Sequence, residues 1–280
     1  MNNTLTIRKT KNELNFMQTN IMGILNVTPD SFYDGGKWNN LEKAINRAIE
    51  MEKEGANIID IGGESSRPGA KPITEDEEIR RVIPVVEILK DTIKIPISLD
   101  TSRSKILEKA LSITKIAILN DIYAFRRDPK IAEIAASHNI YTVIMHMKGN
   151  PQNMQDKPHY ENIIDEIMSF FEERINFAIK RGIKENKIII DPGIGFGKTT
   201  QGNIEILKNI PKFKKLGFPI LLGPSRKSFI GNILEKPAEQ RLIGTIACIA
   251  YCALEKVEIV RVHDIKETKD TLLLISAIKE

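Results

Sequence analysis

Three polar residues close short apolar runs in this chain: Asp100 after Ile95–Leu99, Asn120 after Ile116–Leu119 and Asp191 after Lys187–Ile190. Together they offer two carboxylates and one amide. Such a set suits the edge of a polar heterocycle with adjacent N–H donors, because a carboxylate facing an N–C–N edge bonds it twice and fixes its orientation. In simpler roles, Asp100 would cap a helix beginning near Ser102 and Asn120 would be an ordinary loop residue. No pair of the three has a spacing that suggests acid–base hydrolysis.

A second group of residues suits an anion. Gly62-Gly63-Glu64-Ser65-Ser66-Arg67-Pro68-Gly69 combines backbone donors, two hydroxyls and a guanidinium, although Gly and Pro alone would also shape a turn. Ser225-Arg226-Lys227-Ser228 opens a helix, where N–H groups and hydroxyls favour phosphate or carboxylate. In Arg261-Val262-His263 the alternation places Arg261 and His263 on one side. Asn26-Val27-Thr28-Pro29-Asp30-Ser31-Phe32-Tyr33-Asp34-Gly35-Gly36 is longer than the usual strand-to-helix connection of about 2–6 residues, which favours a functional loop over a plain connector.

Asp191-Pro192-Gly193-Ile194-Gly195-Phe196-Gly197-Lys198-Thr199 imitates two nucleotide motifs and satisfies neither. A Walker A loop ending in Gly197-Lys198-Thr199 requires glycine at 192, where Pro192 stands, and a dinucleotide fingerprint on Gly193 and Gly195 requires glycine at 198, where Lys198 stands. Cys248 and Cys252 are four apart in an apolar stretch, so they share a helix face as small core residues. Neither a disulfide scaffold nor a zinc site is supported.

The elements that must position these residues repeat along the chain. Near-continuous apolar runs occur at Ile21–Val27, Asn57–Ile61, Ile95–Asp100, Ile116–Asn120, Tyr141–His146, Lys187–Asp191, Pro219–Gly223 and Ile259–His263. Helical spacing fills Leu41–Glu54, Glu75–Lys90, Ser104–Ser112, Pro129–Ser137, Tyr160–Arg181, Gly202–Ile210, Pro237–Leu254 and the segment from Glu267 to the end. Continuous rather than alternating apolar character marks parallel strands covered on both faces. Eight such units in 280 residues fit an α/β fold, a (β/α)8 TIM barrel. A doubly wound sheet competes, but the strand ends Asn26, Gly62, Asp100, Asn120, His146, Asp191, Gly223 and His263 converge only in a barrel, on the face where barrels build active sites. One domain over 1–280 is expected, with 1–19 as a leader.

Lys plus Arg number 41 and Asp plus Glu 37, and a net charge of +4 is too small to argue for nucleic acid. No run approaches the ~18 apolar residues of a membrane span, so a soluble cytoplasmic protein is expected. Leu242–Leu254 is apolar nearly all round and would bury more completely against a second subunit.

NVTPDSFYDGG, GGESSRPG, the strand-end Asp100 and Asn120, DPGIGFGK, SRKS and RVHD resemble, in order and spacing, the dihydropteroate synthase family of pterin-binding barrels. The resemblance implies condensation of 6-hydroxymethyl-7,8-dihydropterin diphosphate with 4-aminobenzoate, with release of diphosphate, in folate biosynthesis. It implies a pterin site at Asp100, Asn120, Asp191 and Lys227, and a diphosphate site at Asn26, Arg67, Arg261 and His263. It also implies Mg2+ at Asn26, and a 4-aminobenzoate subsite at Phe32, Ser66, Pro68, Phe196, Lys227 and Ser228. Asp34, Arg67, Lys227, Arg261 and His263 would carry catalysis. The commonest form of the family has Thr where this chain has Ser66, which keeps the hydroxyl and loses a methyl. The implied partners are the two small substrates and a second copy in a homodimer, with neither nucleic acid nor membrane.

Departure of diphosphate would leave a pterin-methyl cation, stabilised by carboxylates such as Asp34, Asp100 or Asp191, in a dissociative displacement. Two other functions share the barrel floor. Pterin-binding methyltransferase domains would not be expected to carry SRKS with RVHD or the Ser66-Arg67-Pro68 loop, and a non-catalytic pterin binder would lack a loop or an anion residue.

Overall fold

A computed structural model describes residues 14–28 and 37–279. Eight parallel strands, β1 (Asn20–Asn26), β2 (Ile58–Gly62), β3 (Ile97–Asp100), β4 (Ile118–Asp121), β5 (Tyr141–Met145), β6 (Ile188–Asp191), β7 (Leu221–Leu222) and β8 (Ile259–Val262), pair in the order β6-β5-β4-β3-β2-β1-β8-β7. A parallel bridge between Ile190 and Ile220 joins the two outer strands and closes the ring. A doubly wound sheet would have left those strands at opposite edges, so the chain forms the TIM barrel.

The outward residues of the strands, including Ile59, Ile61, Leu99, Leu119, Ile190 and Val260, pack in one continuous core against the surrounding helices. These are α1 (Lys37–Glu54), α2 (Glu75–Thr92), α3 (Ser104–Ile113), α4 (Lys130–Ser137), α5 (Ile163–Lys180), α6 (Thr200–Lys208), α7 (Ile210–Lys214), α8 (Ser228–Leu234), α9 (Leu242–Leu254) and α10 (Ile265–Lys279). Local signals start them where they start. Thr74 caps α2 by accepting from Glu77 N–H, and the four acidic residues that follow complement the positive end of the helix. Asn162 caps α5 through Ile164 and Asp165 N–H, and the stripe Ile164, Ile167, Phe171, Ile175 and Ala178 is buried.

Two expected helices divide. The stretch expected as one helix over 202–210 ends at Asn209, and Pro211 restarts the chain as α7, since proline is tolerated in a first turn and not in a helix interior. The stretch expected over 237–254 begins as a 3₁₀ turn, Ala238–Gln240, and becomes α-helical only at Leu242. Arg241 holds that break by donating to the carbonyls of Lys236, at 2.9 Å, and Arg226, at 3.1 Å. Helix α3 starts at Ser104, where its apolar spacing predicts, and its first N–H is held by Asp128, at 2.7 Å, so Asp100 does not cap it.

Within the expected leader, Leu14 and Phe16 pack against the apolar cluster inside the barrel, and the Phe16 ring meets Tyr141 edge-on at 5.6 Å.

Candidate active site

Registered residues of neighbouring parallel strands share a face. Met22, Ile58, Ile118, Val143, Ile189, Leu221 and Ile259 face inward and fill the lower barrel. Two residues further along four of these strands the same face turns polar: Asp60 follows Ile58, Asn120 follows Ile118, Asp191 follows Ile189 and Arg261 follows Ile259. Asp100 stands in register with Asn120, and Asn26 with Gly62, so these also look into the mouth. Asp100, Asn120, Asp191 and Arg261 are thus brought together on one floor.

Arg261 organises that floor. Its Nε donates to Asp60 Oδ2 at 2.6 Å and its Nη2 to Asp100 Oδ2 at 2.8 Å. Asn120 Nδ2 donates to the same Asp60 oxygen at 2.9 Å. Burial pushes the Asp100 carboxyl up to about 8, against the pull of Arg261 and with the nearby Asp60 adding to the rise. Asp60 was not singled out from sequence. Its signal was there: one carboxylate inside the fully buried run Ile58–Ile61, on the same face as the strand-end residues.

Asp191 is buried and its Oδ1 accepts from Gly193 N–H at 2.7 Å. Burial raises it to about 6, opposed by that bond and by Lys198 and Lys227. The turn that follows is set by backbone conformation, with Gly193, Gly195 and Gly197 at φ of 73°, 84° and 67°. Lys198 is buried, donating to the carbonyls of His146, at 3.0 Å, and Phe196, at 2.9 Å, with His146 Nδ1 at 2.9 Å. This lysine fastens the turn to the end of β5 and is not aimed at a phosphate, in keeping with the failed Walker A pattern.

Lys227 Nζ lies 4.1 Å from the centroid of the Phe196 ring. Burial lowers its pKa to about 8, with Arg261 adding to the fall and Asp191 and Asp100 opposing it. Lys227 is the N-cap residue of α8, and Ser228, exposed, is its first helical residue. Phe196, Lys227 and Ser228 therefore form one side of the mouth.

His263 Nδ1 lies 3.0 Å from Ser225 Oγ, and that oxygen also accepts from the His263 N–H. Desolvation, followed by the charge of Arg261, lowers the imidazole to about 4. Expected as part of a cationic anion site, His263 is thus a neutral hydrogen-bonding group in the free protein.

The second loop departs from expectation. Arg67 and Pro68 are exposed, and no ion pair among the described residues joins Arg67 to the Arg261 side of the mouth. Ser66 lines a cleft of about 380 Å3 that meets the floor at Asp100 and is otherwise walled by residues that include Ser102, Tyr123, Arg126, Arg127 and Asn150. The loop is pinned at its base instead: Glu64 pairs with Arg127 and, at 3.2 Å, with Arg103, and accepts from Ile73 N–H at 3.0 Å. A closed 4-aminobenzoate subsite would need the loop tip to cross the mouth toward Phe196 and Lys227. Phe32 and Asp34 lie outside the described residues.

Residues 22–263 match the family model described as pterin binding enzyme. The dihydropteroate synthase of Synechocystis sp. is 45% identical over 250 residues, 89% of this chain and 86% of that one. The chain belongs to the dihydropteroate synthase family. Its fold is similar to that of the Yersinia pestis dihydropteroate synthase solved with a sulfonamide drug complex, with a TM-score of 0.89, 41% identity, and 95% of this chain and 96% of that one covered. It is equally similar to the Xanthomonas albilineans dihydropteroate synthase solved with 4-aminobenzoic acid, with a TM-score of 0.89, 38% identity and 95% of each chain covered. The resemblance carried by the six motifs and the one carried by the whole chain therefore agree.

Proposed function

We propose that this protein condenses 6-hydroxymethyl-7,8-dihydropterin diphosphate with 4-aminobenzoate, giving 7,8-dihydropteroate and diphosphate, a step of folate biosynthesis and a transferase reaction. The observation that carries this reading is the inward-facing floor of Asp100, Asn120, Asp191 and Arg261, with Lys227 beside it. Asp191 and Asn120 suit the N–H-bearing edge of a pterin, and Asp100 a further ring N–H. Arg261 and the neutral His263, joined by Arg67 once the second loop moves in, suit the diphosphate. The cation of Lys227 and the first turn of α8 at Ser228 suit the carboxylate of 4-aminobenzoate, with Phe196, Pro68, Ser66 and Phe32 around its ring.

Asn26, at the end of β1, offers one neutral amide oxygen, and among the described residues no three His, Cys, Asp or Glu side chains gather to hold a metal. Mg2+ keeps much of its water and takes phosphate oxygens readily, so one amide fits an ion that enters with the diphosphate. Bound there, Mg2+ would offset charge on the leaving group.

In the dissociative course proposed, the methylene C–O bond breaks and its electron pair leaves with diphosphate. The carboxyl groups of Asp100 and Asp191 and of the loop residue Asp34 would face the resulting cation, and the amine lone pair then forms the C–N bond as the amine loses a proton to water. No protein nucleophile is required. The decisive test measures diphosphate release with and without 4-aminobenzoate, in Mg2+, for the parent and for Lys227→Ala and Arg261→Ala. Dihydropteroate formation lost by at least ~100-fold in both variants supports the assignment. A burst of diphosphate without the amine supports the dissociative order, strict dependence on the amine overturns it, and pterin binding without turnover would make the chain a binder only.

Ile243, Tyr251 and Leu254 on α9 and Leu273, Leu274 and Ile278 on α10 are exposed, and the two helices pack side by side. This apolar face supports a homodimer. No described helix is long and apolar enough to cross a membrane, and Cys248 and Cys252 are free thiols, which supports a cytoplasmic location.

A further inference from the structure

We propose that Asp60 is a positioning residue of the pterin site, one carboxylate oxygen fixing both the orientation of the Asn120 amide and the plane of the Arg261 guanidinium. The inference rests on the function proposed above.

The geometry leaves little freedom. Asp60 is fully buried, and its Oδ2 accepts from Asn120 Nδ2 at 2.9 Å and from Arg261 Nε at 2.6 Å. A carboxylate only accepts, so the amide of Asn120 must turn its NH2 toward Asp60. Rotating that amide by half a turn would set two acceptor oxygens against each other away from water. Asn120 therefore presents its carbonyl oxygen, with one remaining N–H, to the barrel mouth. An asparagine without such a partner would offer either end to a ligand and would discriminate poorly between donor and acceptor edges.

Arg261 is constrained by the same oxygen. Bonds from Nε to Asp60 and from Nη2 to Asp100 fix two edges of a planar group, and its remaining donors stay directed away from them. Asp60 is also poorly explained as a stability device. Its second oxygen, Oδ1, is buried and has no hydrogen-bond partner among the described residues. Buried ionic clusters are often matched or exceeded in stability by apolar residues of similar size, which leaves orientation of the binding groups as the benefit.

The test uses the full chain with Asp60→Leu, Asp60→Asn, Asn120→Ala and the Asp60→Leu/Asn120→Ala pair. Thermal melts establish folding, and binding of the dihydropterin diphosphate is read by calorimetry alongside KM for each substrate. Asp60→Leu, which removes the shared acceptor, is expected to weaken pterin diphosphate binding by about 100-fold while changing KM for 4-aminobenzoate by less than about 3-fold. Asp60→Asn can place its carbonyl oxygen where Oδ2 stands and is expected to retain binding within about tenfold. In the Asn120→Ala background the loss caused by Asp60→Leu is expected to shrink to about tenfold or less, because one of its two targets is gone.

Parent-like binding by Asp60→Leu, equal damage to both substrates, or full additivity in the pair would overturn the proposal. Should Asp60→Leu fail to fold, the same cycle with Asp60→Ala, which also removes the shared acceptor, decides by the same criterion of non-additivity. A parent that neither binds the pterin diphosphate nor turns over would instead overturn the function itself, so the two failures are distinct.

Discussion

His263 shows how burial changes what a residue can do at this site. Its imidazole, desolvated and close to Arg261, is lowered to about 4, so it is neutral at pH 7 and donates or accepts without carrying charge. A depressed folded-state pKa means stability that is present above the ordinary histidine value of about 6.5 and is lost as the pH falls through 4. Between pH 6.5 and 4.5 this one group is expected to cost about 2 kcal/mol. Urea unfolding of His263→Asn should show a drop over that interval smaller by the same amount, and an unchanged drop would mean that the imidazole titrates alike in the folded and unfolded chain. Lys198 makes the complementary point, because a lysine next to a glycine suggests phosphate in sequence and is consumed here by two carbonyls and a ring nitrogen.

At the scale of elements, the turn after β6 is the part least tolerant of change. A Cβ at Gly193 would lie 2.0 Å from the His146 carbonyl oxygen, in addition to the strain of φ at 73°. Gly217 has φ of 80° and nothing within 4 Å of such a Cβ. Substituting alanine at each separates the two effects. Gly217→Ala is expected to cost about 1 kcal/mol, the conformational term alone, and Gly193→Ala at least about 3 kcal/mol, because backbone must shift. Urea unfolding midpoints check both, and equal costs would show that the His146 contact is relieved without penalty. The moved turn should also carry Asp191 off the floor, raising KM for the pterin substrate.

At the scale of the whole molecule, pairing of β1 with both β2 and β8 makes residues from distant parts of the chain neighbours: Asp60 and Arg261 are 201 positions apart and share a hydrogen bond of 2.6 Å. Outside the barrel, Ile243 is 75% exposed and Leu274 63%, on adjoining helices. If that face joins two copies, Ile243→Asp with Leu274→Asp should convert a dimer to a monomer in light scattering, since burying two unpaired carboxylates is strongly disfavoured. A parent already monomeric at micromolar concentration would sink the dimer.

Sequence alone determined the eight strand–helix units, since continuous apolar runs and helical spacing are local properties that each segment carries by itself. It also determined the strand-end polar residues and the loops, because their types and order are written linearly. Tertiary structure decided which of them meet. Asp60 looked like part of an apolar strand until the register of β2, β4 and β8 placed it beneath Asn120 and Arg261. Likewise Arg67, in a motif that suggests an anion site, stays exposed on a loop pinned at Glu64, because its placement depends on loop closure and not on its neighbours in sequence. Charge states fell on the same side of the division: desolvation and the nearness of Arg261 set His263, Lys227 and Asp100, and both exist only once the barrel is closed.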